Sequence, residues 1–315
     1  MTGVQTCALP IFIFCSNAKT LSISITIMTR TRNENNMDNA NRAKKFEDTI
    51  NYLSPKLKTV LNNIPQNIKP FVQEIRLKSG KIPHFIYKNN TYFVSTDKNN
   101  TINLVSPEDI NQCLNIMCGY SIYSFQEQLK EGFITINGGN RVGICGTAVI
   151  KNGNIENIKN ITSLNIRIAQ EFKGCSKEIF ENIKYQIGGT LISGPPGCGK
   201  TTILRDLARI ISTDSKIPKK VTIVDERMEI ASCFEGKAQM DVGLSDILSG
   251  FPKGEGILRA VRCLSPEVVI CDEIGSEKDT DAIIQSLNSG ICVIASVHAK
   301  SKDELIRKPQ IKKLL

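Results

Sequence analysis

The chain has 315 residues, 41% hydrophobic and 23% charged, with a formal net charge of +9. That mix excludes a disordered chain and leaves room for two domains of ordinary size. The positive balance is modest for the length and spread along it, so it does not choose among nucleotide, nucleic acid and an acidic membrane face as partner.

The eleven cysteines include no C-x-x-C pair, and the two histidines, His84 and His298, complete no zinc spacing. Scattered, mostly apolar-flanked thiols suit a reducing cytosol, where they act as small hydrophobes. No run approaches the roughly 18 to 20 apolar residues of a membrane span. The nearest, Cys7 to Cys15, has no Lys or Arg before it and no A-x-A-like site after it, so it does not read as a signal peptide. Residues 1–37 are read as a non-native or disordered leader, with Met28 or Met37 as alternative starts.

Residues 38–70 are polar and helical in pattern, punctuated by Pro55, Pro65 and Pro70. Short β runs follow at Glu74 to Lys78, His84 to Tyr87 and Thr91 to Val94, the last two joined by a Lys88-Asn89-Asn90 turn. Ser106-Pro107-Glu108-Asp109 supplies an N-cap, a proline at the first helical position and an acidic first turn. The helix it opens should bury Ile110, Cys113, Leu114 and Met117 and end at Gly119. A hairpin over Asn137-Gly138-Gly139-Asn140 and a strand at Leu164 to Ile168 complete a small α+β domain over 38–170.

From residue 171 strands alternate with helical patterns, which predicts a parallel sheet wrapped by helices over 171–315. Strands are expected at Thr190 to Ser193, Val221 to Val224, Glu267 to Cys271 and Ile291 to Ser296. Helices are expected at Lys200 to Ser212 and Asp279 to Asn288. The fold class is α/β, a parallel-sheet core preceded by the smaller α+β domain.

Between the first of these strands and its helix, Gly194-Pro195-Pro196-Gly197-Cys198-Gly199-Lys200-Thr201 fits G-x-x-x-x-G-K-[ST]. Its glycines let main-chain N–H groups curl around phosphate oxygens at a helix N-terminus. Lys200 would neutralise the β and γ phosphates, Thr201 would offer its hydroxyl to Mg²⁺, and Thr202 completes the loop set. ATP and Mg²⁺ are the implied cofactors. Val268 to Cys271 followed by Asp272-Glu273 has the form of an apolar strand ending in carboxylates at the sheet's carboxyl edge, where open α/β sheets bind ligands. Asp272 would hold the magnesium shell and Glu273 would polarise the attacking water. His298 ends the fourth strand; it reads either as a structural histidine or as a hydrogen-bond donor to the γ-phosphate. Val224-Asp225-Glu226-Arg227-Met228-Glu229-Ile230 follows a buried strand and, on its own, reads first as a solvated turn.

Together these segments resemble the secretion-type ATPases, the hexameric motors of type II secretion and type IV pili, and most closely their sporulation branch, the stage III AA family; the resemblance implies a RecA-like P-loop ATPase core for the α/β domain. The matching text is EIRLKSG, SIYSFQEQLKEGFITINGGNRVGICGTAV, SLNIRIA, GPPGCGKTT, VDERMEIA, FPKGEG, LSPEVVICDEIG and ASVHAKS. The resemblance places VDERME in an acidic box, so that Asp225, Glu226 and Glu229 face the nucleotide, with Glu273 first and Glu229 and Glu226 next as the water-orienting acid. It implies a homo-oligomer, a hexamer, whose sites are completed by an arginine; Arg167 or Arg141 would serve, each also readable as an exposed strand residue. Leu244-Ser245-Asp246 lacks the arginine the family pattern carries there, and the chain ends short of the family's usual last strands. The implied setting is cytoplasmic, peripheral to the membrane in the mother cell, with membrane-embedded stage III sporulation proteins as partners. A nucleic-acid-dependent P-loop ATPase is the alternative. Against it, the chain has no Trp, and its Tyr and Phe are not interleaved with basic residues, so no specific nucleic acid is expected.

Overall fold

The computed structural model describes residues 12–15, 35–94, 104–185 and 187–314. They form two compact units: Arg30–Gln170, and Glu171–Leu315 joined by the strand at Phe12–Cys15. That strand, β1, falls inside the segment read as a leader. It pairs antiparallel with residues 190–193, and Ile13 is buried in the core of that unit. Most of the expected leader lies outside the described residues.

In the first unit the helices are α1 (Asn35–Ile50), α2 (Pro55–Asn62), α3 (Pro107–Met117) and α4 (Gln126–Lys130). The strands are β2 (Val72–Lys78), β3 (His84–Tyr87), β4 (Asn90–Phe93), β5 (Phe133–Ile136), β6 (Asn140–Lys151) and β7 (Asn154–Arg167). They make one antiparallel sheet in the order β4-β3-β2-β7-β6-β5. Ser106 and Asp109 cap α3 reciprocally, and all four of its expected inner residues are buried. With them pack Phe46 and Ile50 of α1, Leu57 and Leu61 of α2, and Ile75, Leu77, Ile134 and Ile166 of the sheet. Apolar area removed from water on this scale is the main stabilising term, at about 25 cal/mol per Å².

The sequence reading stops β7 short. The strand begins at Asn154, and β6 and β7 run as a ribbon to the Asn152-Gly153 turn, where both residues have positive φ. Asn-Gly is the strongest short hairpin signal. Asn154 to Ser163 is nonetheless too polar to look like a strand.

The second unit contains α5 (Lys177–Ile183), β8 (Gly189–Gly194), α6 (Lys200–Thr213), β9 (Val221–Asp225), β10 (Asp246–Ser249) and α7 (Lys253–Leu264). It continues with β11 (Val268–Glu273), α8 (Glu277–Asn288), β12 (Cys292–His298), α9 (Lys302–Arg307) and α10 (Pro309–Lys312). The sheet order is β1-β8-β12-β11-β9-β10, parallel throughout except for β1. Alternate residues of the strands feed two cores, as period-2 geometry requires. Ile192, Ile223, Ile270 and Ile294 pack with α5 and α6. Val224, Val269, Cys271, Val293 and Ala295 pack with α7 and α8. Helices on both faces make this a doubly wound α/β unit, and every loop at the carboxyl edge opens toward the same side of the sheet.

Candidate nucleotide-binding site

Four chain segments meet at that carboxyl edge: the loop after β8, the turn after β9, the end of β11 and the end of β12. Gly194 pairs with His298 in the β8–β12 ladder, so the glycine loop begins beside the histidine. Gly197 and Gly199 have φ of +74° and +96°, left-handed conformations that glycine adopts without the Cβ penalty. They fold Gly194 to Gly199 into a curl that delivers Lys200 and Thr201 to the first turn of α6. Cys198 within the curl is buried, while Pro196 and Gly197 are exposed and Thr201 and Thr202 half-buried.

Lys200 is 6% exposed. Its Nζ donates to the carbonyls of Gly194 and Pro195, both at 2.9 Å, and lies 2.8 Å from His298 Nδ1. Burial holds the ammonium below the usual lysine range. An ammonium only donates, so Nδ1 of His298 accepts and Nε2 carries the ring proton. His298 Nε2 lies 2.9 Å from Glu273 Oε2. The histidine therefore bridges Lys200 and Glu273, where the sequence left it either structural or aimed at a phosphate. A register shift between Cys271 and Glu273 in the β11–β12 pairing turns the end of β11 and sets Glu273 on this bridge. Arg227 adds a longer contact, 3.7 Å from the same carboxylate oxygen.

Asp272, one residue back, is buried, and burial pushes its carboxyl up, only partly offset by the Lys253 ammonium. Its Oδ1 lies 2.6 Å from Lys253 Nζ. Both of its carboxylate oxygens are buried without a well-directed hydrogen-bond donor among the described residues; Oδ1 has the close ion pair to Lys253 and Oδ2 has not even that, a costly arrangement for a carboxylate oxygen unless a ligand completes it. Magnesium keeps several waters and takes one or two protein oxygens plus phosphates. Asp272 Oδ2 and the Thr201 hydroxyl fit that small donor set, and no group of three or more His, Cys, Asp or Glu residues among the described residues forms an alternative metal cage.

The acidic turn divides by position. Asp225 is fully buried, and its carboxylate accepts from the main-chain N–H of Glu229, Ile230 and Ala231 at 2.9, 3.1 and 2.8 Å. It does not face a nucleotide as expected; it shapes the turn. From the other side Arg205 of α6 donates to the carbonyls of Glu229 and Ile230 at 2.7 and 2.6 Å. Met228 takes a positive φ inside this clamp. Glu226 is exposed and lies 3.3 Å from Lys253 Nζ, and Glu229 is half-buried. Lys253 and Arg205 were not singled out by the sequence. Lys253 lies in FPKGEG, whose residues carry a family resemblance but no chemistry of their own, and Arg205 sits at an unremarkable place in an amphipathic helix.

Arg141 and Arg167 belong to the antiparallel unit, where they are cross-strand partners on β6 and β7. The Arg141 guanidinium stacks 3.6 Å from the centroid of Phe133. Arg167 is 66% exposed and lies 3.4 Å from Glu74.

The family described as "Sporulation stage III, protein AA" matches residues 43–315. Stage III sporulation protein AA of Bacillus subtilis (strain 168) is 39% identical over 267 residues, which is 83% of this chain and 84% of that protein. The uncharacterized protein ycf45 of Cyanidium caldarium is 34% identical over 185 residues, 57% of this chain and 53% of that one. Among solved structures, the Legionella pneumophila ATPase DotB superposes with a TM-score of 0.50 at 16% identity, covering 75% of this chain and 64% of its own. The Yersinia pseudotuberculosis ATPase DotB gives 0.51 at 14% identity, covering 96% and 73%. At such identity the likeness speaks for the fold alone, a parallel-sheet α/β architecture. No helix among the described residues is long and apolar enough to cross a membrane.

Proposed function

The chain belongs to the sporulation stage III protein AA family, and from that premise we propose that it is a Mg²⁺-dependent ATPase of the secretion type. Its hydrolysis would drive a channel-like assembly of membrane-embedded stage III sporulation proteins, with the protein working as a hexamer at the cytoplasmic face of the mother-cell membrane. The observation that carries the reading is the Lys200–His298–Glu273 chain at the mouth of the glycine loop. It links the residue suited to grip a phosphate to the acid suited to orient water.

Each residue has a task that follows from its chemistry. Gly194 to Gly199 present main-chain N–H groups to the phosphates, and Lys200 exchanges the carbonyls of Gly194 and Pro195 for phosphate oxygens. That exchange releases Nδ1 of His298. Glu273 holds a water in line with the γ-phosphorus, with Glu229 and Glu226 as the next candidates for this role. As the water oxygen bonds to phosphorus, the bond to the β–γ bridging oxygen breaks and ADP leaves. The water's proton passes to the carboxylate and then to the released phosphate. Magnesium, held by Thr201 and Asp272, would neutralise charge on the β and γ phosphates. Arg167 or Arg141 would complete a neighbouring subunit's site in the ring, one repeated heterologous contact serving every interface.

Lys200→Ala should abolish ATP binding, while Glu273→Gln should retain binding and lose turnover. Addition of single-stranded DNA should leave the wild-type rate unchanged; strong stimulation would favour a nucleic-acid motor instead. Mixing Lys200→Ala subunits with Arg167→Ala subunits should restore part of the activity if the arginine acts in trans. ATP binding by Lys200→Ala at wild-type affinity would refute the phosphate-cradle assignment.

A further inference from the structure

A lysine outside the glycine loop lies among the acids of the site. Lys253, the first residue of α7, is 4% exposed, and a buried ammonium persists only where it is paired. Its Nζ is 2.6 Å from Asp272 Oδ1 and 3.3 Å from Glu226 Oε2, and it also donates to the main-chain carbonyl of Glu273. One cation thus touches the end of β11 and the turn after β9 together. The local sequence explains how it gets there. A Cβ on Gly256 would meet Val224 Cγ1 at 2.6 Å, and one on Gly254 would meet the Lys278 carbonyl oxygen at 3.1 Å. Only glycine lets the first turn of α7 approach β9 and α8 so closely, and that approach carries Lys253 to the carboxyl edge.

We propose that Lys253 is a positioning residue of the nucleotide site, a resident counter-cation that fixes Asp272 and Glu226 and leaves Oδ2 of Asp272 as the oxygen open to magnesium. The role rests on the nucleotide-site reading above. Without Lys253, the carboxylates of Asp272, Glu226 and Glu273 stand opposite the phosphates with less compensating charge. Metal-free ATP then suffers most, because bound magnesium supplies compensation of its own. A lysine that only packed the helix would weaken both forms of ATP alike.

The test is equilibrium binding of a fluorescent ATP analogue to wild type, Lys253→Met and Lys253→Arg, in EDTA and again in saturating Mg²⁺. Lys253→Met should lose about tenfold or more in metal-free affinity and less than about threefold with magnesium, as expected for one missing charge in a site of intermediate dielectric. Lys253→Arg, which keeps the charge, should recover most of the metal-free affinity. Equal loss in both conditions, or no loss in either, would overturn the role. Because Lys253→Met leaves a buried carboxylate unpaired, its denaturation midpoint without nucleotide is compared with that of Lys253→Met/Asp272→Asn. The double variant should be the more stable of the two, and failure to recover would overturn the pairing even if the single variant does not fold. Wild-type protein that binds no nucleotide in either condition would overturn the site itself, which the wild-type control reads separately.

Discussion

Replacing Arg205 with methionine tests how the acidic turn is built. Arg205 lies four residues beyond Thr201 on α6, and its guanidinium is the donor to two consecutive carbonyls of the turn, Glu229 and Ile230. Methionine keeps an unbranched apolar stem of similar reach and removes the donors. A hydrogen bond to a charged group contributes about 1.5–3 kcal/mol, so two amount to about 3–6 kcal/mol. Two effects reduce that. Glu229 is half-buried, so its carbonyl can take water in place of the arginine. Burial also holds the Arg205 guanidinium below its usual range, and this desolvation cost disappears with the charge. The expected net loss is therefore about 2–3 kcal/mol, read as a lower urea midpoint at unchanged slope. Turnover should fall further than stability alone implies, because Glu229 and Glu226 ride on the loosened turn, and a misplacement of about 1 Å costs about a hundredfold. A midpoint within about 0.5 kcal/mol of wild type together with normal turnover would refute the clamp. Arg205→Lys, whose ammonium reaches one carbonyl, should fall between wild type and the methionine variant.

Asp225→Asn should destabilise by about 2 kcal/mol, since an amide cannot accept from all three N–H groups, whereas Glu226→Gln and Glu229→Gln should stay within about 0.5 kcal/mol and slow hydrolysis. Comparing the three urea midpoints with the three rates separates the structural acid from the reactive ones, and similar midpoints for all three would contradict the division. Burial alone would raise the Asp206 carboxyl, but the N–H groups of Ser176 and Gly174 and the Arg209 guanidinium outweigh it and hold it below its ordinary 3.8. A depressed folded value means that its stabilisation is complete above 3.8 and is lost as pH falls below that, so Asp206→Asn should make the acid limb of a melting-temperature profile shallower. Gly256→Ala should cost about 1–3 kcal/mol by overpacking against Val224 and Phe251, measured in the same denaturant series.

The elements that the sequence displays are those whose local signals agree with their surroundings. The Ser106 cap, the apolar face of α6 and the β-branched strands β9, β11 and β12 belong here. Where local signal and tertiary context disagree, the reading stops short. The ribbon half of β7 is polar because it extends beyond the sheet's core, and α7 hides behind Gly254 and Gly256, which look like helix breakers but are needed for close approach. The glycine loop is legible at the site because its chemistry demands fixed residue types at fixed spacing. Asp225 and Glu226 are adjacent acids of the same charge, and only the path of the chain after β9 turns one inward to three amides and leaves the other outside. Lys253 and Arg205 were illegible for a related reason. A basic residue in a helix is ordinary until the fold removes it from water and sets carboxylates or carbonyls against it.

The parallel order of the second sheet also bears on how the chain comes off the ribosome. The P-loop strand β8 has β12 as its parallel neighbour, and Lys200 and His298 are 98 residues apart. At about 5–20 residues per second, roughly 5–20 s pass between synthesis of the two. For that interval β8 has an open ladder edge on the side β12 will fill, while β9 waits for β11, and β11 once made waits for the same strand as β8. The contact between Lys200 and His298 therefore forms only after β12 has been made, so the glycine loop exists in the nascent chain well before the histidine that will bridge it to Glu273.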